Sequence, residues 1–226
     1  MTTAIIVAAG GSTRMGFDKL AALLAGKAVL RRSIEAFDAC EAVDDLIVVA
    51  GEKARALVEQ WQKEGAFRKP LKICSGGAFR HLSVHEGLKA LPPGTEFVAV
   101  HDGARPLITP EQIGRCITRA EETLAAVCAR PLAETLKRAD AEGVISDSIE
   151  REGAWIMETP QVFDRALLSQ SYDRVIEDGL MVTDEVSAVQ HFGGQVCVVD
   201  NPSPNPKITF PADLELAEQL LRGRQR

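Results

Sequence analysis

The chain has 226 residues, a formal charge of −6, 46 % hydrophobic residues and 26 % charged ones. That size suits one large α/β domain or two small ones, and the composition is that of a soluble globular protein. The acidic balance argues against a general nucleic-acid-binding surface, and no apolar run approaches a membrane span or a signal peptide.

The first apolar run, 4–9, is short enough to be a buried strand. Gly10 and Gly11 follow it at once. Small residues at a strand's carboxyl end let several backbone N–H groups face a phosphate. Arg14 and Lys19 then bring two cations to the same loop. The spacing is neither that of a P-loop nor the G-x-G-x-x-G of a dinucleotide-binding turn. Residues 29–40 read as an amphipathic helix with Leu30, Ile34 and Phe37 on one side. A second buried strand, 45–50, stops at Gly51, and a helix over 52–65 follows, with Trp61 as a packing residue. A strand over 71–74 leads to Ser75-Gly76-Gly77, then a helix over 79–91. A strand over 96–101 runs into Asp102-Gly103-Ala104-Arg105-Pro106. The next helix, 109–122, has Thr109 as N-cap and Pro110 at its first position. A strand is expected over 124–129.

From 132 to 159 the alternation stops. Strand-like pieces at 134–137 and 143–145 are separated by charged turns, as in an insertion or a projecting arm. Helices return over 165–177 and 184–192, the latter with Thr183 as N-cap. A late strand at 195–199, an extended turn at 201–206 and a helix over 211–222 complete the pattern. Strands alternating with helices predict a Rossmann-like three-layer α/β domain, 1–226, with a mostly parallel sheet. Ligands in such sheets bind beyond the carboxyl ends of the strands. The three loops expected there, GGSTR, SGGAFR and HDGARP, each hold glycine and arginine, which suits an anion. The five cysteines are scattered, with no C-x-x-C, and read as free thiols in a reducing compartment; the four histidines lack zinc spacing.

Six strings carry a resemblance over nearly the whole chain. They are AAGGSTRM with Lys19, GGAFRHLSV at 76–84, HDGARP at 101–106, ETLKR at 134–138, ETPQVF at 158–163 with TDE at 183–185, and NPKIT at 205–209. The first is shared by many nucleotidyltransferases, and its RMG-x-DK portion is similar to that of molybdenum-cofactor guanylyltransferases. The order and spacing of the rest resemble the 2-C-methyl-D-erythritol 4-phosphate cytidylyltransferase family. That resemblance implies transfer of CMP from CTP to a phosphorylated polyol, with Mg²⁺ and with release of pyrophosphate. It implies Arg14 and Lys19 as transition-state cations, with Arg151 and Lys207 completing the catalytic set. Ala8, Ala9, Gly10, Gly11, Gly77, Arg80, Ser83 and Asp102 would hold the nucleotide. Asp102, Arg105, Thr135, Arg151, Thr159, Thr183 and Lys207 would hold the acceptor, and Asp102 is the candidate Mg²⁺ ligand. The segment 132–159 would be a dimerisation arm that carries Arg151 into a partner's site, giving a cytoplasmic homodimer without nucleic-acid or membrane partners.

Some positions depart from the family pattern: Asp18-Lys19-Leu20 around the second cation, His81-Leu82, Gly77-Ala78, and Glu158 where Gln is common. Two other readings stand beside the first. A ribitol 5-phosphate cytidylyltransferase keeps the chemistry and changes the acceptor. A nucleotide sensor without turnover keeps only the binding site, and the acceptor-side cations speak against it.

Overall fold

A computed structural model describes residues 1–10 and 17–224; Gly11 and Arg14 lie outside them. In chain order the elements are β1 (Thr2–Ala8), β2 (Leu23–Leu24), β3 (Lys27–Ala28), α1 (Val29–Ala39), β4 (Asp45–Ala50), α2 (Glu52–Lys63), β5 (Leu71–Ser75) and α3 (Arg80–Lys89). Then come β6 (Phe97–Asp102), α4 (Pro110–Thr123), β7 (Ala125–Pro131), β8 (Leu136–Ala139), β9 (Ile145–Ile149) and β10 (Trp155–Asp164). The last are α5 (Arg165–Glu177), α6 (Glu185–His191), β11 (Cys197–Asp200) and α7 (Pro211–Gly223).

Seven strands form one sheet in the order β11-β7-β10-β6-β1-β4-β5. Every pairing is parallel except those of β10, which runs antiparallel to β6 and β7. β1 reads as an unbroken apolar run because both its faces are covered. Ala4, Ile6 and Ala8 join one core with Leu30, Ile34 and Phe37 of α1, Val58 of α2 and Ile113 of α4. Ile5 joins the opposite core with Val84 of α3, Leu168 and Tyr172 of α5 and Val189 of α6. Helices therefore cover both faces, as the alternation predicts. Full burial of side chains such as Ile5, Phe37 and Phe163 contributes about 1.5–3 kcal/mol each. α4 begins as expected: the Thr109 hydroxyl accepts from the Gln112 N–H while the Gln112 side chain accepts from the Thr109 N–H.

The chain reverses direction across the sheet at β1. β4 and β5 lie to one side of it, and β6 to the other. β1 and β6 pair with Val7 opposite Asp102, so their carboxyl ends open a crevice at the switch point.

The structure corrects the sequence reading in three places. Residues 155–159 are not part of an arm: they begin β10, which is inserted into the main sheet. Its register shifts between Met157 and Gln161, and it buries the polar residues Glu158, Thr159 and Gln161. Both features erase the apolar alternation that marks a strand. The projecting ribbon is the shorter β8–β9 hairpin, exposed along both strands. Asp184 rather than Thr183 caps α6, accepting from the Ser187 N–H at 3.0 Å. Leu124 is the left-handed C-cap of α4, with φ of 67°, rather than the first residue of β7.

Candidate active site

Two cavities open at the carboxyl edge of the sheet and share a wall. The first, about 260 Å³, lies over the ends of β1 and β6 and the start of α3. Its lining includes Ala8, Ala9, Gly10, Lys19, Gly77, Arg80 and Ser83. The second, about 550 Å³, is lined by Arg105, Glu158, Thr159, Gln161 and Thr183 among others. Arg80, Asp102 and Lys207 line both.

The loop after β5 comes close to the end of β1. A Cβ on Gly76 would stand 2.3 Å from the Ala9 Cβ and 2.8 Å from the Ser83 Oγ, and one on Gly77 would stand 2.5 Å from the Leu82 Cβ. Only glycine lets that loop lie against the strand end. Ser83 is buried and holds the loop: its Oγ accepts from the Gly77 N–H at 3.2 Å and donates to the Phe79 carbonyl at 3.0 Å. It shapes the first cavity as well as lining it.

Asp102 ends β6 at the wall between the cavities. Oδ1 accepts from the Arg80 Nε at 3.0 Å, Oδ2 lies 2.8 Å from the Lys207 ammonium, and the Arg105 Nε stands 3.6 Å from Oδ2. Burial by itself would raise this carboxyl; Arg80, Lys207 and Arg105 overturn that and hold it well below the usual carboxylate range. Asp102 is therefore a fixed anion among cations. That arrangement does not fit the expected metal ligand, since a dication at either oxygen would meet the positive charges already there. No group of three or more His, Cys, Asp or Glu side chains able to hold a metal ion occurs among the described residues.

The neighbouring His101 is fully buried, and burial pushes it down to about 3, so it is neutral. Its Nε2 faces the Arg105 carbonyl at 3.2 Å and must donate, which leaves Nδ1 as an acceptor for the Thr159 hydroxyl at 2.9 Å. The Thr159 Oγ1 in turn accepts from the Asp102 N–H at 3.2 Å. Thr159 thus faces the second cavity with its one donor already committed, and it locks the backbone of Asp102. Arg105 is committed as well. It donates to the Asn205 and Met157 carbonyls at 3.0 and 3.3 Å, and its Nε is buried without a hydrogen-bond partner.

Of the residues expected at the site, Ala8, Ala9, Gly10, Lys19, Gly77, Arg80, Ser83, Asp102, Arg105, Thr159, Thr183 and Lys207 line one or both cavities. Thr135 and Arg151 line neither. Both are exposed at the foot of the ribbon, where Arg151 donates to the Ala133 carbonyl at 3.2 Å. Gly11 and Arg14 fall outside the described residues. The sequence reading assigned no role to Gln161, Tyr172 or Glu185. Gln161 receives the Glu185 and Val186 N–H groups at 3.1 Å each, joining α6 to β10. Its place in ETPQVF, and that of Glu185 in TDE, was the available signal.

The family model described as "IspD: 2-C-methyl-D-erythritol 4-phosphate cytidylyltransferase" matches residues 2–223. A 2-C-methyl-D-erythritol 4-phosphate cytidylyltransferase from Caldanaerobacter subterraneus is 40 % identical over 97 % of this chain and 98 % of its own length. One from Dehalococcoides mccartyi strain CBDB1 is 39 % identical, over 97 % of this chain and 95 % of its own. Among solved structures, a 4-diphosphocytidyl-2C-methyl-D-erythritol synthase from Anaerococcus prevotii superposes with a TM-score of 0.86 at 27 % identity, covering 98 % of each chain.

Proposed function

The chain belongs to the 2-C-methyl-D-erythritol 4-phosphate cytidylyltransferase family, and from that premise we infer that it transfers CMP from CTP to 2-C-methyl-D-erythritol 4-phosphate. The observation that carries the reading is the shared wall: Arg80, Asp102 and Lys207 face both cavities. Two ligands seated in the two cavities meet over those side chains.

CTP takes the first cavity, with its phosphates against Gly10 and Lys19. The polyol phosphate takes the second. One of its phosphate oxygens attacks the α-phosphorus of CTP, the bond to the bridging oxygen breaks, and pyrophosphate leaves with that electron pair. The nucleophile is already anionic near neutral pH, so no base is needed. A buried, neutral His101 whose two ring nitrogens are engaged by the Thr159 hydroxyl and the Arg105 carbonyl agrees with this. What the reaction needs is positive charge on the α-phosphate and the leaving group. Arg14 and Lys19 supply it in this reading. Lys207 neutralises the acceptor phosphate, and Asp102 accepts from the polyol hydroxyls and keeps Lys207 in place. Mg²⁺ would supply further neutralisation of the CTP phosphates, through which this ion is usually held, and Asp102 would stay engaged by Arg80 and Lys207.

The ribbon extends the reading to a homodimer. β8, β9 and the turn between them leave Leu136, Val144, Ile145 and Ile149 exposed, and a second copy covers them through one self-complementary patch. Arg151, which lines neither cavity of its own chain, then reaches the partner's acceptor.

Pyrophosphate release is the test, measured with CTP and each of methylerythritol phosphate and ribitol 5-phosphate. Turnover with the first and not the second is expected. Preference for ribitol 5-phosphate would reassign the acceptor, CTP binding without turnover on either would make the chain a sensor, and equal rates with GTP would move it toward the guanylyltransferases.

A further inference from the structure

We propose that Glu185 is a positioning residue for this reaction, acting through Arg80 on Asp102. Glu185 is fully buried at the start of α6 and lines neither cavity. Its two oxygens accept from the Arg80 guanidinium at 2.7 and 3.1 Å, and Oε1 also accepts from the Tyr172 hydroxyl at 2.9 Å. The remaining Arg80 nitrogen, Nε, donates to Asp102 at 3.0 Å. All three guanidinium nitrogens are therefore engaged by carboxylates. Arg80 bridges an anion at the reaction centre to an anion outside it.

A buried ion pair is weak evidence for stability, because desolvation offsets much of the attraction. The geometry gives this one another use. Asp102 has two oxygens and three cations around it. While Glu185 takes the two terminal nitrogens, Arg80 meets Asp102 through Nε alone and at one oxygen. Oδ2 stays with Lys207 at 2.8 Å, the cation this reading gives to the acceptor phosphate. Once glutamine replaces Glu185, the full charge of Arg80 falls on Asp102. The guanidinium turns to a two-pronged grip on it, a geometry arginine and carboxylate favour, and Oδ2 is drawn away from Lys207. The Tyr172 hydroxyl and the Gln161 side chain hold Glu185 at the other end, so the strut runs from α5 and β10 to the reaction centre.

This rests on assigning the second cavity to the acceptor. The experiment varies CTP and the polyol phosphate separately in Glu185→Gln, which keeps the shape and removes the charge. The KM for the polyol phosphate is expected to rise at least ~10-fold, the size a lost charge-assisted hydrogen bond supports, while the KM for CTP stays within about twofold. Added to Asp102→Asn, Glu185→Gln is expected to bring less than about twofold further loss, because it acts through that residue. Unchanged kinetics, or a parallel rise of both KM values, overturns the proposal. If Glu185→Gln does not fold, Glu185→Asp shortens the reach to Arg80 by one methylene, touches neither cavity and must give the same split between the two KM values; a parallel rise there overturns it equally. Asp102→Asn with an unchanged KM for the polyol phosphate would sink the cavity assignment and this proposal with it. A normal Asp102→Asn effect without the Glu185 split would sink the proposal alone.

Discussion

The Lys207 ammonium lies 2.8 Å from the Asp102 Oδ2, so a loop near the end of the chain closes on the strand at the middle of the sheet. Removing Lys207 takes one positive charge from the phosphate space and uncovers one negative charge there. Lys207→Ala is expected to lower kcat/KM for the polyol phosphate by about 10²-fold, the cost of two unfavourable charge changes near one anion. Its ammonium is partly exposed, so the melting temperature should move little. Steady-state kinetics with near wild-type kcat/KM would remove Lys207 from the mechanism.

Gly76 sits where the loop after β5 meets the end of β1. A methyl group there would stand 2.3 Å from the Ala9 Cβ, and neither backbone can retreat without moving the first cavity. Gly76→Ala is expected to destabilise the fold by about 1–3 kcal/mol, the usual cost of forced overpacking, and to raise the KM for CTP. Denaturant unfolding with an unchanged midpoint would show that the loop yields freely.

Burial raises the Glu158 carboxyl above its ordinary value, against the Asn201 hydrogen bond and the charges of Arg105 and Arg130. The native state therefore holds that proton more tightly than the unfolded chain does. The resulting stability is fully present below the unfolded value and is lost as pH rises through the folded one. Glu158→Gln keeps an acceptor for Asn201, which donates to Oε2 at 2.6 Å, and removes the ionisation. The variant should melt above the parent at neutral pH, and the gap should close in acid below the ordinary carboxyl range. A gap independent of pH would mean that packing, not ionisation, separates the two.

Arg151 tests assembly. Arg14→Ala and Arg151→Ala, each expected to be inactive alone, are mixed under conditions that exchange subunits. If Arg151 serves the partner's site, a heterodimer has one site with both lesions and one with neither, so activity returns. No recovery after confirmed exchange would place Arg151 in its own chain's site or outside the mechanism.

Much of this architecture is legible in local sequence. The apolar run of β1, the capping pair Thr109 and Gln112, and the glycine loops at 76–77 and 102–105 each obey rules that act over a few residues. β10 was not legible. Its pattern is broken by Glu158, Thr159, Pro160 and Gln161, polar or ring-closed residues whose burial is compensated by partners as distant as Asn201, Asp102 and Glu185. The engagement of Arg80 was hidden for the same reason. The GGAFRHLSV string marks it as a residue facing the nucleotide, while its partner Glu185 lies far along the chain and is found only once α5 and α6 share a core with α3. Thr159 lines the second cavity, yet nothing local reveals that its hydroxyl bonds His101.

β10 pairs with β6 on one side and β7 on the other, yet it follows both in the chain. During synthesis, β6 emerges with one edge open and keeps it open until residues 155–164 have left the ribosome. Only then can β7, and β11 beyond it, join the sheet. The second cavity, whose lining includes Met157, Glu158, Thr159 and Gln161, has no counterpart in a shorter nascent chain. A stall before that segment leaves an apolar strand with a free ladder of backbone groups, a template for pairing with other chains. The same insertion that brings two ligands together thus makes the first half of the polypeptide depend on the second for protection from aggregation.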